Sequence, residues 1–373
     1  MSDYKSPRGI EIGGVGSVRK LQIGGSAPVS IQTMWKEPLV GADLQAIART
    51  LAELEGLGCD IMRFAVPDMG SADALVRLSA MTSMPLVADI HFDHKLALRC
   101  LDGNVAKIRI NPGNIGSEER VRQVTEKALD RNAAIRIGVN SGSLPRDLQQ
   151  ALEASAASSS RERAEERASA LVEAATREME TFDRLGFNRV VVSMKASTVE
   201  ETIIANRKFA QEFDVPLHLG VTEAGPLVAG VVKSALAFSA LFADGIGSTI
   251  RVSLSDSMEN EVIAGREILA ECGKRAGGVR IVSCPRCGRN GFDVHSFVKR
   301  WQSELLSLNR ELTVAVMGCV VNGPGEGKHA DIGITGAGDS VIIFRHGKTV
   351  RTVSGALDTE TIDNAFREEL GKL

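Results

Sequence analysis

Three cysteines and a glutamate near the C-terminus have the types and spacing of an electron-transfer centre. They are Cys284-x-x-Cys287, then Cys319-Val-Val-Asn-Gly-Pro-Gly-Glu326. Cys-x-x-Cys places two thiolates on one tight turn, and the later third thiolate closes a site for a thiophilic metal or an iron-sulfur cluster. A cubane with three thiolates leaves one iron free for an oxygen ligand, whereas structural zinc normally takes four strong protein ligands. The competing reading is a zinc site of Cys284, Cys287, Cys319 and either His295 or His329. Such a site would sit on a barrel enzyme doing non-redox chemistry on a phosphorylated or pterin-like ligand. Cys59, Cys100 and Cys272 lie in apolar or helical surroundings and read as buried or neutral thiols.

The elements that must position this chemistry come from a chain of 373 residues, 43% of them hydrophobic, enough for one large domain and a small one. The net charge of −3 provides no global attraction to DNA or an anionic membrane. With only two Trp and one Tyr, a nucleic-acid module is also disfavoured. The first residues lack an apolar signal region and no run approaches the roughly 18 apolar residues of a membrane span, so the expected compartment is the cytoplasm. Six cysteines are too few and too uneven for a disulfide framework.

From Pro28 to about Ser255, β-branched runs alternate with amphipathic segments. The runs are Val29–Met34, Asp60–Val66, Leu86–His91, Lys107–Asn111, Ile135–Val139, Arg189–Met194, Leu217–Thr222 and Thr249–Ser253. Parallel strands in this number with intervening helices predict an α/β fold, a TIM-type (β/α)8 barrel over residues 1–275. The connection from Leu144 to Leu185, rich in Ala, Glu and Arg, predicts an exposed helix with i,i+4 charge pairs. Gly13-Gly-Val-Gly16 precedes the first barrel strand and opens no helix, so it is not a dinucleotide fingerprint. Gly273–Gly278 reads as a linker to a small α+β domain over residues 279–373. That domain should hold a helix around Phe292–Leu308, four strands beginning at Leu312, Ala330, Val341 and Lys348, and a last helix from Thr359 to Leu370.

In such barrels the reacting groups sit where strands end, on the C-terminal face. Arg63 interrupts an apolar strand. Alternation puts Asp89 with His91, and Arg109 with Asn111, on common sides. Arg136 and Asn140, Lys195, Thr222 and Glu223, and Arg251 and Ser253 mark four further strand ends. Four arginines and a lysine aimed into one mouth repel unless an anion joins them, and guanidinium forks suit phosphate oxygens. The implied ligand carries phosphate. Asp89 can fix the His91 imidazole. Glu223, in a loop facing the ligand, is expected to hold a proton in a partly dry site and to act as an acid.

These segments resemble one family, 4-hydroxy-3-methylbut-2-enyl diphosphate synthase. The resemblance is carried by Gly58-Cys-Asp-Ile-Met-Arg-Phe-Ala-Val-Pro-Asp68, Asp89-Ile-His-Phe-Asp93, Arg109-Ile-Asn-Pro-Gly-Asn-Ile-Gly116, Gly138-Val-Asn-Ser-Gly142, Val221-Thr-Glu-Ala-Gly225, Ser283-Cys-Pro-Arg-Cys-Gly288 and Met317-Gly-Cys-Val-Val-Asn-Gly-Pro-Gly-Glu326. It implies a [4Fe-4S] cluster on Cys284, Cys287 and Cys319 with Glu326 as an exchangeable fourth ligand. It also implies reductive ring opening of 2-C-methyl-D-erythritol 2,4-cyclodiphosphate with electrons from a ferredoxin or flavodoxin, in a homodimer whose active sites are shared. Arg63, Arg109, Arg136, Lys195 and Arg251 match diphosphate-holding positions, with Asn111, Asn140 and Ser253 assisting. Asp89, His91, Thr222 and Glu223 match positions around the carbon skeleton, with Glu223 as acid. Gln32-Thr-Met-Trp-Lys-Glu-Pro38 departs from the family's more usual Thr- and Asn-rich loop, so no role transfers to Trp35, Lys36 or Glu37.

Overall fold

The structure, a computed structural model, describes residues 4–156, 159–285, 287–288, 291–308, 310–320, 327–355 and 358–373. Glu326 and the Asn322–Gly325 stretch before it lie outside the described residues. The chain forms two compact units, Met1–Arg275 and Ala276–Leu373.

The first unit opens with an element that the sequence reading missed, an antiparallel hairpin of β1 (Ile10–Ile12) and β2 (Leu21–Ile23). Its strands are too short to show a period, and the Gly13–Gly16 run is simply part of their connection. Ile10, Ile12, Val18 and Ile23 are buried in one cluster with Ile61, Val87, Ala106, Ala134 and Val191. Those last five lie at or near the starts of barrel strands, so the hairpin plugs the N-terminal end of the barrel with apolar side chains.

The barrel strands are β3 (Ser30–Met34), β4 (Ile61–Ala65), β5 (Leu86–Asp89), β6 (Lys107–Arg109), β7 (Ala134–Asn140), β8 (Val190–Lys195), β9 (His218–Leu219) and β10 (Thr249–Ile250). They pair in the order β8-β7-β6-β5-β4-β3-β10-β9, and a parallel bridge between Val192 and Leu217 joins the two ends of that row. All of the expected runs are strands. Several stop earlier than expected, which leaves His91, Asn111, Thr222, Arg251 and Ser253 in the loops just past the ladder.

Outer helices return the chain between strands. They are α1 (Leu44–Leu57), α2 (Met69–Ser79), α3 (His94–Cys100), α4 (Pro112–Ile115), α5 (Glu118–Asp130), α6 (Arg146–Glu153), α7 (Ser160–Arg184), α8 (Val199–Glu212), α9 (Leu227–Ala243) and α10 (Met258–Glu271). Their starts are written locally: Asp43, Asp68, Asp93, Thr198 and Ser257 accept backbone N–H bonds as caps, and Ser159 with Glu162 closes a capping box. On α7 the expected charge pairing is present, with Arg177 Nε 2.7 Å from Glu173. Cys59 and Cys100 are buried, and burial pushes both thiols up to about 12.

The second unit is a sheet of β11 (Val279–Ser283), β12 (Leu312–Met317), β13 (Ile332–Ala337), β14 (Ser340–Arg345) and β15 (Lys348–Ser354), paired in chain order. Strand β11 was not expected, since Val-Arg-Ile-Val-Ser is short and only half buried. The first three strands run parallel and the last two add antiparallel hairpins. Helices α11 (Val294–Leu306) and α12 (Thr359–Leu370) contribute Phe297, Trp301 and Phe366 to its core. Phe297 and Trp301 both meet Phe366 edge-on, at 5.1 and 4.9 Å. Among the described residues no helix is long and apolar enough to cross a membrane.

The hairpin plug generates a direct test. Ile12→Ala, at a fully buried position, lowers barrel stability by about 2–5 kcal/mol in denaturant unfolding. Glu11→Ala, on the exposed face of the same strand, changes it by less than about 0.5 kcal/mol.

Candidate functional site

The mouth of the barrel is organised by strand register. Ala65 pairs with Asp89, Asp89 with Arg109, and Arg109 with Arg136, so these side chains sit at one level across β4 to β7. The buried Asp89 carboxylate is shared: Arg63 Nε lies 3.6 Å away, Arg109 Nη1 3.4 Å and His91 Nε2 3.8 Å. Arg109 Nη1 also meets the His91 ring, 3.0 Å from Nδ1. Arg109 and Asn111 do act on one side, since both donate to the carbonyl of Gly138, at 2.8 and 3.0 Å. The Gly138 N–H in turn donates to Asn111 Oδ1 at 2.9 Å, so the amide continues the pairing past the end of β6.

Two glycines make room for these cations. A Cβ at Gly138 would stand 2.6 Å from Arg109 Nε, and one at Gly220 would stand 2.6 Å from Lys195 Nζ. Lys195 Nζ lies 3.3 Å from His218 Nε2, and His218 Nδ1 lies 2.7 Å from Thr249 Oγ1. On the other side of the mouth, Arg251 meets Glu261 of α10 at 3.2 Å. A cavity of about 800 Å³ opens beside Arg251, lined among others by Met34, Trp35, Lys36, Ala65 and Asp256.

Cations outnumber carboxylates at this end. Burial first, and then the neighbouring guanidinium groups, hold Arg136 and Lys195 well below their ordinary values. Lys107, two residues before Arg109 on β6, is fully buried and shifts the same way. Arg63 is lowered to about 10 by burial, partly opposed by Asp89. Asp89 itself is pushed up by burial, but Arg63, Arg109 and Arg136 overcome this and hold it below the usual carboxylate range. Arg136 Nε and Nη2 and Lys107 Nζ are buried without a hydrogen-bond partner among the described residues. Such an arrangement can bind a multivalent anion, which supplies the acceptors and the countercharge together.

The remaining expected residues fall around this cluster. Asn140 ends β7, while Thr222 and Ser253 are partly buried in the loops after β9 and β10. His91 is half exposed, with its side chain 55% accessible, and burial with Arg109 lowers its pKa. Glu223 is exposed rather than in a dry pocket, and its backbone is left-handed at φ 51°. A non-glycine residue held there is the kind of strain that functional loops retain. Sequence reasoning missed Lys107, His218, Lys36 and Glu261. Alternation could have found Lys107 and His218, since each lies an even number of residues before a chosen position. Nothing local marked Glu261, which reads as an ordinary first-turn glutamate.

In the second unit, Ser283 pairs with Val316, so Cys284 and Cys319 follow the ends of two adjacent parallel strands. The Gly318 N–H donates to Cys284 Sγ at 3.1 Å, the kind of bond that tunes a metal-bound thiolate. Cys284 and Cys319 are partly buried and Cys287 is exposed. His295 and His329 are both exposed. Among the described residues no three His, Cys, Asp or Glu side chains converge as a metal-ligand set. The donor chemistry and the strand-end placement nevertheless suit a thiophilic centre.

Fold and site together define a TIM-barrel protein whose C-terminal mouth gathers more buried cations than carboxylates, followed by a thiol-bearing α+β unit. Residues 15–266 match the GcpE TIM-barrel domain and residues 280–370 match the GcpE protein C-terminal domain. Relatives named 4-hydroxy-3-methylbut-2-en-1-yl diphosphate synthase (flavodoxin) include those of Treponema denticola, 61% identical over 100% of both chains, and Treponema pallidum, 63% identical over 100% of this chain and 93% of that one. The relative from Thermodesulfovibrio yellowstonii is 43% identical over 100% of both. The chain belongs to the GcpE family, whose curated relatives carry that enzyme name.

Gly138→Ala displaces the Arg109 guanidinium and weakens pyrophosphate binding about 10-fold by calorimetry, with little change in melting temperature. Burial and Lys195 hold His218 well below its ordinary value of 6.5, so it stays neutral when folded. Its stabilising contribution is complete above that value and is lost as the pH falls below it. Wild-type stability therefore drops on acidification by up to about 1.4 kcal/mol per pH unit from this group, a component that His218→Gln removes from the melting profile.

Proposed function

We propose that the protein catalyses reductive ring opening and dehydroxylation of 2-C-methyl-D-erythritol 2,4-cyclodiphosphate to 4-hydroxy-3-methylbut-2-enyl diphosphate in isoprenoid precursor biosynthesis. The reading is carried by the surplus of buried cations around Asp89 at the barrel mouth, in a chain whose relatives carry that enzyme name. Arg63, Arg109, Arg136, Lys195 and Arg251 hold the diphosphate, and Asn111, Asn140 and Ser253 orient its oxygens. Asp89 keeps Arg63 and Arg109 in place and sets the His91 ring. Thr222 and Glu223 face the carbon skeleton, and Glu223 delivers the proton that the departing hydroxyl needs to leave as water.

Cys284, Cys287 and Cys319 would hold a [4Fe-4S] cluster, with Glu326 as a displaceable oxygen ligand. When bound, the cluster supplies the two electrons of the reduction, passed on from a reduced flavodoxin or ferredoxin. The site in the barrel binds the anion, and its closely packed guanidinium groups keep the leaving oxygens neutralised. The reading carries with it the cytoplasmic homodimer with shared active sites that the family resemblance implies.

Anaerobic purification gives the test. The expected protein is brown, holds about four irons and four sulfides per chain, and turns over the cyclodiphosphate with reduced flavodoxin. Arg109→Ala retains the cluster and raises the Michaelis constant by roughly 10- to 100-fold. Colourless protein holding one zinc, or an Arg109→Ala variant with an unchanged Michaelis constant, would overturn the reading.

A further inference from the structure

Glu261 is a buried carboxylate with several donors around it, and neither the expected site nor the family resemblance assigns it a role. It sits in the first turn of α10, after the Ser257 cap, with its side chain 1% exposed. Oε2 accepts from Arg251 Nε at 3.2 Å and from Thr33 Oγ1 at 2.6 Å. Oε1 accepts from Arg251 Nη2 and from the Leu254 N–H, both at 3.2 Å, and Lys36 Nζ stands 3.2 Å away. These donors come from β3, the loop after it, and the segment after β10. They occupy the full acceptor capacity of a carboxylate.

Two consequences follow. The Arg251 guanidinium is gripped along its Nε–Nη2 edge, while among the described residues Nη1 meets only the weak thioether acceptor of Met34 at 3.7 Å. Lys36 also donates to the carbonyls of Leu254, at 3.3 Å, and Asp256, so it ties the loop after β3 to the loop after β10. Both loops line the 800 Å³ cavity on which Arg251 opens.

We propose that Glu261 is a positioning residue: it fixes Arg251 so that the Nη1 side of the fork faces a phosphate group, and with Lys36 it holds the Trp35-Lys36-Glu37 loop as one wall of the cavity. The inference rests on the diphosphate reading above. It gives the loop that departs from the family pattern a structural task, performed by the side chain of Lys36.

A charge argument alone predicts the opposite sign from positioning. Removing the Glu261 charge makes the mouth more positive, so a purely electrostatic role would leave Glu261→Gln binding anions more tightly. Positioning requires weaker binding, because an amide NH2 cannot accept from the guanidinium. Pyrophosphate binding is measured by calorimetry on anaerobically purified, cluster-loaded protein, alongside the Michaelis constant and kcat. Glu261→Gln is expected to weaken pyrophosphate binding and raise the Michaelis constant by about 10- to 100-fold, with a smaller effect on kcat. Combined with Arg251→Ala it should add nothing to the loss from Arg251→Ala alone. Thr33→Val, which removes one uncharged donor and tests the same grip should Glu261→Gln fold poorly, is expected to cost about 3- to 10-fold in the Arg251 background only.

Tighter binding by Glu261→Gln, or losses that add fully to those of Arg251→Ala, would overturn the positioning role and leave the diphosphate site intact. Arg251→Ala protein that binds pyrophosphate as wild type does would overturn the assignment of Arg251 to the diphosphate, and the inference with it.

Discussion

Positive charge brought out of water in greater amount than negative charge is the condition around which this barrel is built. Arg63, Arg109, Arg136 and Lys195 are crowded into its upper interior, Lys107 is buried one level below beside Val87 and Ala134, and Asp89 is the carboxylate that meets two of these cations directly. Desolvation lowers the pKa of most of these cations, and each further guanidinium adds to the effect. A protein tolerates such repulsion only if the surrounding fold is firm or a ligand relieves it. Here the apolar plug of β1 and β2 and the continuous parallel ladder supply the firmness. Among the described residues the buried Nε and Nη2 of Arg136 have no hydrogen-bond partner, which is where a ligand would supply the rest.

The scaffold serves that purpose at the level of single atoms. Gly138 and Gly220 are small so that Arg109 and Lys195 can cross their strands. The side-chain amide of Asn111 takes over the pairing of a strand that has already ended. Glu261 reaches from an outer helix into the barrel and holds Arg251 from behind. The Glu261 contact grips one edge of Arg251, which lines the cavity, and leaves its Nη1 beside the Met34 thioether. This is preorganisation, in which the cost of orienting the groups falls on folding rather than on binding.

The second unit carries a different economy. Its core is built around Phe297, Trp301 and Phe366, and Cys284 packs against it just past the end of β11, while Cys287 is exposed. Parallel pairing of β11 with β12 brings Cys284 level with the residues that lead into Cys319, thirty-odd positions away in the chain. Rigid strands thus set two of the thiols, and the Gly318 N–H already addresses one of their sulfurs.

Much of this was legible in the chain itself. The barrel strands follow from β-branched runs, most helix starts from Asp, Ser and Thr caps, and the strand-end cations from a period of two, because these signals are local and need no partner to be read. Asp89, Arg109 and Arg136 could be chosen in this way, but only the parallel register placed them at one level. The hairpin was invisible because three-residue strands have no period. Strand β11 was missed because its burial depends on β12. Glu261 and Lys36 gained their importance through contacts more than two hundred residues apart in sequence, between the first barrel strand with its following loop and the last barrel helix. Local chemistry chose the residues able to bear charge. Closure of the barrel decided which of them would share it, since electrostatic interaction depends on distances that no stretch of sequence contains.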